Sequence, residues 1–424
     1  MHKNNRYHIL LLLALLISTA AFGQKRTFSP FSRYGIGELN TSGFGQNAAM
    51  GNTGIGLKSD NHLNILNPAS YSGIDTMSFF FEAGISGFTQ EFSSGDGNET
   101  YNNVDFSYFA MGFPISQRVH ATMGLRPFSN SGYKFEFSDG TSLNKAIGTG
   151  NLSTVYGGVS IMPANNFSVG AHASYIFGNI QHTTFIEFPD DTEAYKYGVQ
   201  SEIHASDFFM DLGAQYTHQI SEEKSMTFGF TYRPQASLKG DFQRTVAKGT
   251  SYSEDGKLFG SNIIIPEATD TSDVSGFDMA QSIGMGVSYK NGDRLLLAAD
   301  YTMANWGDVD FPDNHTQTTN STQLSAGAQY TPDSRSPNYL ARMKYRAGVK
   351  FGEEYIRIGD DKINNFGITF GIGLPYNRSK TSVNLVFEYG TRKPTGNLDM
   401  SETYGKVTLN FTFHEFWFNK WKFQ

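Results

Sequence analysis

Four basic residues sit within nine positions, at Arg342, Lys344, Arg346 and Lys350, and they interleave with Ala341, Met343, Tyr345, Ala347, Val349 and Phe351. On a strand, that spacing puts the bases on one face and the apolar residues on the other. Cations on an enclosed face need partners or water. Two chemistries would satisfy them. One is ion pairing with acids such as Glu38, Asp300 and Glu388; the other is the carboxylate of an amphipathic ligand whose tail lies in an apolar pocket. These four are the candidate ligand-binding residues. No catalytic constellation accompanies them: there is no Gly-x-Ser-x-Gly elbow, no His-Glu-x-x-His and no phosphate loop. The ten histidines are scattered, with none at metal-ligand spacing. The chain therefore reads as a non-enzyme without catalytic residues, metal or cofactor.

The elements that would position these residues are strands. From residue 78 onward apolar and polar residues alternate with period two, as in Val407, Leu409, Phe411 and Phe413 against Lys406, Thr408, Asn410 and Thr412. In Met210, Leu212, Ala214 and Tyr216 the intervening residues are Asp211, Gly213 and Gln215; in Ile283, Met285, Val287 and Tyr289 they include Gly284, Gly286 and Ser288. One face is apolar and the other is polar or glycine. The pattern places strands near 78–92, 104–114, 118–128, 152–162, 166–188, 206–218, 225–241, 278–290, 293–306, 321–331, 340–351, 363–375, 381–393 and 403–413. Short turns at 115–117, 163–165, 291–293 and 376–380 alternate with longer polar connections at 129–151, 189–205, 242–277 and 307–320. Within 242–277, Ile263-Ile264-Ile265 reads either as a further strand or as a loop excursion.

Short turns on one side, long loops on the other and an even strand count describe an all-β transmembrane barrel of about fourteen antiparallel strands. Composition agrees: aromatics are 14 %, charged residues 17 % and glycines 45, with mean hydropathy −0.37. A soluble sandwich would expose its glycine-rich face at an entropic cost. In a filled barrel, small inward residues leave room for a plug. Cysteine is absent, which excludes a lipoprotein anchor and Cys-ligated zinc. The net charge of −7 argues against nucleic acid as a partner.

Residues 1–23 read as a signal peptide: Lys3 and Arg6, an apolar run from Ile9 to Ile17, then Ala21-Phe22-Gly23 before Gln24. Residues 24–77 do not alternate. Rich in glycine and asparagine, they read as a folded plug in the lumen. The barrel would occupy 78–413, and 414–424 would form a periplasmic aromatic tail. Trp306, Trp417 and Trp421 fit interfacial girdles. Asp190-Asp191 and Asp360-Asp361 read as solvated turns, with calcium contact to surface lipopolysaccharide as the alternative.

Gly43-Phe44-Gly45, Ala48-Ala49-Met50-Gly51, Gly54-Ile55-Gly56 and Asn67-Pro68-Ala69, in that order, resemble the N-terminal hatch of FadL-type outer-membrane transporters of long-chain fatty acids. Gly284–Lys290, Asp293–Thr302 and Arg346–Glu353 resemble that family's later strands. The even strand count returns both mature termini to the periplasm; the resemblance implies a fourteen-stranded barrel, a hatch positioned by Asn67, Pro68 and Ala69, and a gap in the wall. It implies passive uptake of hydrophobic or amphipathic small molecules across the cell outer membrane. The partners would be outer-membrane lipid, lipopolysaccharide and a hydrophobic ligand. The alternative is a PorV-like, non-transporting barrel serving as scaffold or subunit of an outer-membrane secretion or protein-assembly complex with other envelope proteins. The polar residues of 129–151 and the aromatic tail suit that alternative.

Overall fold

A computed structural model describes residues 29–416 except 96, 139, 192–193, 250–262, 273–276, 310, 312–316, 377–378 and 397. The expected signal peptide, Trp417 and Trp421 lie outside the described residues, as does all of the tail beyond Phe416.

Fourteen antiparallel strands close into a barrel. They are β1 (Ser78–Ser94), β2 (Gly97–Pro114), β3 (Val119–Asn130), β4 (Leu143–Ala164), β5 (Phe167–Glu187), β6 (Lys196–Gln219) and β7 (Lys224–Arg233). The series continues with β8 (Ser282–Asn291), β9 (Leu295–Ala304), β10 (Ser321–Tyr330), β11 (Lys344–Ile358), β12 (Asp361–Pro375), β13 (Ser382–Pro394) and β14 (Met400–Phe416). Each pairs with the next, and β14 pairs back onto β1 from Phe416–Ser78 to Met400–Ser94. Closure leaves no terminal edge to be satisfied by water.

The burial pattern is inverted relative to a soluble protein. The large apolar side chains of Phe208, Met285, Leu324, Phe370 and Phe411 are exposed, whereas Glu82, Asn384, Glu402 and Asn410 are buried inside. This is the alternation expected of a wall with lipid on one side.

Three strand predictions needed correction, all at barrel ends. The stretch 340–351 is not one strand: Tyr339–Arg342 is a short helix, with Asn338 accepting from the Leu340 amide, and β11 begins at Lys344. Much of the expected loop sequence is paired. Tyr133–Ser138 joins the outer part of β4, and Gly240–Gly249 lies between the outer part of β6 and Ile263–Ser272. The Ile263-Ile264-Ile265 segment is therefore strand, lying beyond the wall proper. Apolar alternation stops at the lipid boundary, but ladder hydrogen bonds continue without it. The contrast in connection length is also weaker than expected: Gly359-Asp360 is a tight turn at the loop end, while 331–343 is a long connection at the turn end.

Trp306 corrects the girdle reading. It is buried, 4.9 Å from the Tyr355 ring and 6.3 Å from Phe311. It belongs to an apolar cluster with Phe31, Ile36, Phe128, Phe209 and Ile356 that fills the loop end of the lumen.

Candidate functional site: the lumen and its floor

Residues 43–74 cross the lumen as a floor, and the barrel receives them on a belt of inward glycines. Three pairs face one another directly across strands: Gly170 with Gly213, Gly229 with Gly286, and Gly327 with Gly348. A Cβ at Gly170 or Gly213 would overlap Pro68 or Asn67; at Gly229 or Gly286, the Ile55-Gly56 backbone; at Gly327 or Gly348, the Met50-Gly51 backbone. Here glycine is required by close approach, because floor backbone packs directly on wall backbone. Gly51 adds a second reason, since its φ is +67°.

Hydrogen bonds complete the seat. Asn67 is fully buried; its Nδ2 donates to the Ile55 carbonyl (2.8 Å) and to the Ala214 carbonyl of β6 (3.3 Å). Its Oδ1 accepts from the Ala69 amide (3.0 Å), capping the 3-10 turn Pro68–Gly73. Gln215 donates to Ile55 and Leu57 carbonyls at 2.9 and 3.0 Å, and Ser288 to the Gly56 carbonyl at 2.7 Å. Asp300 takes no part in the basic row: its Oδ2 accepts from the Gly54 and Ile55 amides at 2.5 and 2.8 Å. At the turn end Lys380 bridges Asp60 (3.0 Å) and Asp75 (2.5 Å). Burial alone would raise the Asp60 carboxyl, but the Lys380 ammonium holds it below its ordinary value.

The four basic candidates do not form one site. Arg342 leaves the row with its helix, its guanidinium 5.5 Å from the centre of the Tyr339 ring. Lys344 opens β11 and is half-buried. Arg346 is buried and donates to Gln329 Oε1 (2.8 Å), Asn384 Oδ1 (2.7 Å) and, weakly, His62 Nε2 (3.4 Å). Its partners are neutral amides and a floor histidine, not the acids expected. Burial first, then Lys344 and Arg346, hold the His62 imidazole well below its ordinary pKa. In that neutral ring Nε2 accepts from Arg346, and Nδ1 faces Thr412 Oγ1 (3.3 Å) and Glu82 Oε1 (3.5 Å). Lys350 pairs with Glu388 at 2.5 Å, as expected. Glu38 pairs with Arg392, outside the row.

Arg392 is the hub that sequence reading missed. It bonds Glu38 of the N-terminal segment and Glu402 of β14 (2.9 Å), with Glu354 at 3.6 Å; Ser29 donates to Glu402 as well. Residues 29–42 are thereby latched to the wall above the floor. Only its charge signalled this role, and nothing in the spacing joins positions 38 and 392.

Between floor and latch lies a cavity of about 300 Å³ lined by Asn40, Ile55, Leu66, Arg126, Phe128, His172, Phe209, Asp211 and Arg233, among others. Asp211 is engaged at both oxygens there: Oδ1 accepts from Arg233 Nε (2.7 Å) and Oδ2 from His172 Nε2 (2.8 Å), while the other imidazole nitrogen meets Tyr71 at 3.2 Å.

The wall beside this cavity is interrupted. β2 and β3 pair only from Phe109–Leu125 to Pro114–His120. Beyond Phe109, β2 continues paired with β1 alone, while Ser129 and Asn130 of β3 pair with Leu39 and Glu38 of the N-terminal segment. Pro127, which has no amide hydrogen, stands where β3 departs, and its ladder with β4 shifts register between Pro127 and Ser129.

The family model described as BamG matches residues 5–424. This chain belongs to the BamG family. Among solved structures it is similar to the Pseudomonas putida toluene transporter TodX, at 15% identity and TM-score 0.61, covering 90% of this chain and 100% of that one. The Ralstonia pickettii toluene transporter TbuX gives 13% identity and TM-score 0.59, covering 88% and 98%. The CymD monoaromatic hydrocarbon channel gives 14% identity and TM-score 0.58, covering 88% and 97%. No curated protein matches the sequence. At these identities the likeness is one of fold, and this BamG family member shares the FadL-like barrel that its sequence led one to expect.

Proposed function

We propose that the chain is a channel for passive uptake of hydrophobic or amphipathic small molecules, fatty-acid-like ones included, across the cell outer membrane. The observation that carries this reading is the interrupted β2–β3 wall beside the lumen cavity. In a bilayer, backbone outside a closed ladder is tolerated where it lines a cavity or a path. Ligand would enter at the loop end, rest above the floor and leave sideways between β2 and β3. Residues 24–77 would act as the hatch, and Asn67-Pro68-Ala69 would hold it in register. Lipid and lipopolysaccharide would meet the outward apolar rows. The TodX, TbuX and CymD barrels, whose names state hydrocarbon transport, support the general reading. Within the basic row, Lys344 and Arg346 remain the candidates nearest the floor, although a ligand carboxylate at Arg346 would compete with two amide oxygens already bound.

The backbone seat of the floor favours a second reading, and membership in the BamG family accords with it. A plug held this tightly suits a barrel that serves as scaffold or subunit of an envelope protein-assembly or secretion complex. Gentle solubilisation followed by mass spectrometry separates the two. A lone barrel retaining small amphiphiles, and passing them into liposomes, is the expected result; stoichiometric protein partners with no flux would replace transport by the scaffold.

A further inference from the structure

Of the arginines that line the lumen cavity, Arg126 stands apart. Arg233 has Asp211, and Arg392 has Glu38 and Glu402. Among the described residues the Arg126 guanidinium makes a single hydrogen bond, a long 3.4 Å contact to the Asn40 carbonyl, and no carboxylate lies within 4 Å of it. The nearby acids are committed. Asp211 holds Arg233 and His172, and Asp300 accepts from two floor amides. A guanidinium presents five donors in a planar fork that matches a carboxylate. Arg126 also lies one residue past the last β2–β3 pair, where the wall opens. Apolar surface adjoins it, with Phe128 and Phe209 at 5.7 Å between ring centres and Ile55 and Leu66 on the floor side.

We infer that Arg126 anchors the carboxylate of a small monocarboxylate whose apolar body, aromatic or short-chain, lies against Phe128 and Phe209. The inference deepens the channel reading by naming a ligand class, and it relies on that reading only for passage, not for binding. It also separates this chain from barrels named for neutral hydrocarbons. Toluene in this cavity would leave the fork without an acceptor, whereas benzoate would fill it.

The test uses full-length purified barrel and three probes of similar shape: benzoate, benzamide and toluene. In the wild type, calorimetric titration is expected to give benzoate about tenfold or more tighter binding than benzamide or toluene. Arg126→Met is expected to abolish that preference, with toluene binding and heat-modifiable migration unchanged. Equal wild-type affinity for the three probes overturns the inference without any variant. So does a folded Arg126→Met barrel that keeps the benzoate preference. Liposome flux is read separately: benzoate binding without flux keeps the site and removes the channel, while toluene flux without benzoate preference keeps the channel and removes the site.

Discussion

The floor and the latch are both made by the N-terminal segment, yet different physics holds them. The floor, residues 43–74, rests chiefly on shape: backbone lies against paired glycines, neutral amides and hydroxyls satisfy its carbonyls, and charge enters only where Asp300 and Glu82 accept from its amides and Lys380 meets Asp60. The latch, residues 29–42, rests on charge, with one guanidinium gathering carboxylates from two strands and from the segment itself. Shape-based contact is insensitive to salt and fails when volume is added. A buried charge cluster tolerates small volume changes and fails when one partner is removed. A plug built from both can have its latched part altered while its floor stays seated.

The largest expected effect is therefore on the latch. Arg392→Met leaves Glu38 and Glu402 uncompensated and should cost about 3–5 kcal/mol. Limited proteolysis should then cut within 29–42 before the barrel unfolds in urea; simultaneous loss of floor and latch would mean that they are one cooperative unit. Next comes Gly213→Val, which drives a side chain into Asn67 and Pro68 and should cost about 3 kcal/mol. Its partner variant, Gly405→Val, faces outward with nothing within 4 Å and should stay within about 0.5 kcal/mol in the same urea titration. If the two glycine variants behaved alike, the belt would not be the seat.

The smallest effect is that of pH. His62 is held below its ordinary value, so its contribution to the floor is present above about pH 6.5 and is lost as pH falls. The lowered Asp60 contributes above its ordinary carboxylate range and loses that only well below about pH 4. Lys380, raised by Asp75 and Asp60 against its burial, contributes below its ordinary value and loses that only above about pH 10. The Lys380 clamp is thus intact at about pH 5, and amide protection at Asn61–Leu66, corrected for the slower intrinsic exchange in acid, should fall between about pH 7.5 and 5 as the His62 imidazole, facing Glu82, takes up a proton. Equal protection at both pH values, or a loss that persists in His62→Gln, would place His62 outside the floor's stability.

All fourteen wall strands were legible because lipid on one side and a filled lumen on the other impose a strict period of two from Phe79 to Phe413. Their outer ends were not, since Lys196–Ala205 and Gly240–Gly249 pair above the lipid level, where no apolar face marks a strand. The basic row was half legible. Lys350–Glu388 follows from alternation, the lysine stem reaching β13 across Gly367 of the intervening β12, whereas Arg342 is lost to a short helix that the same alternation masked. Arg126, one arginine beside a proline, gave no signal at all.

Sequence by itself determined the wall, its strand number, which face meets lipid, and that the inward face carries glycine where something must approach. Those are local properties, written into each strand by its own alternation. Tertiary structure alone decided that the glycines align in opposed pairs beneath Asn67, that Arg392 reaches Glu38 across most of the chain, and that β3 turns inward and leaves Arg126 beside an open wall. Each depends on register between segments hundreds of residues apart, and register is set by closure of the whole barrel rather than by any one strand.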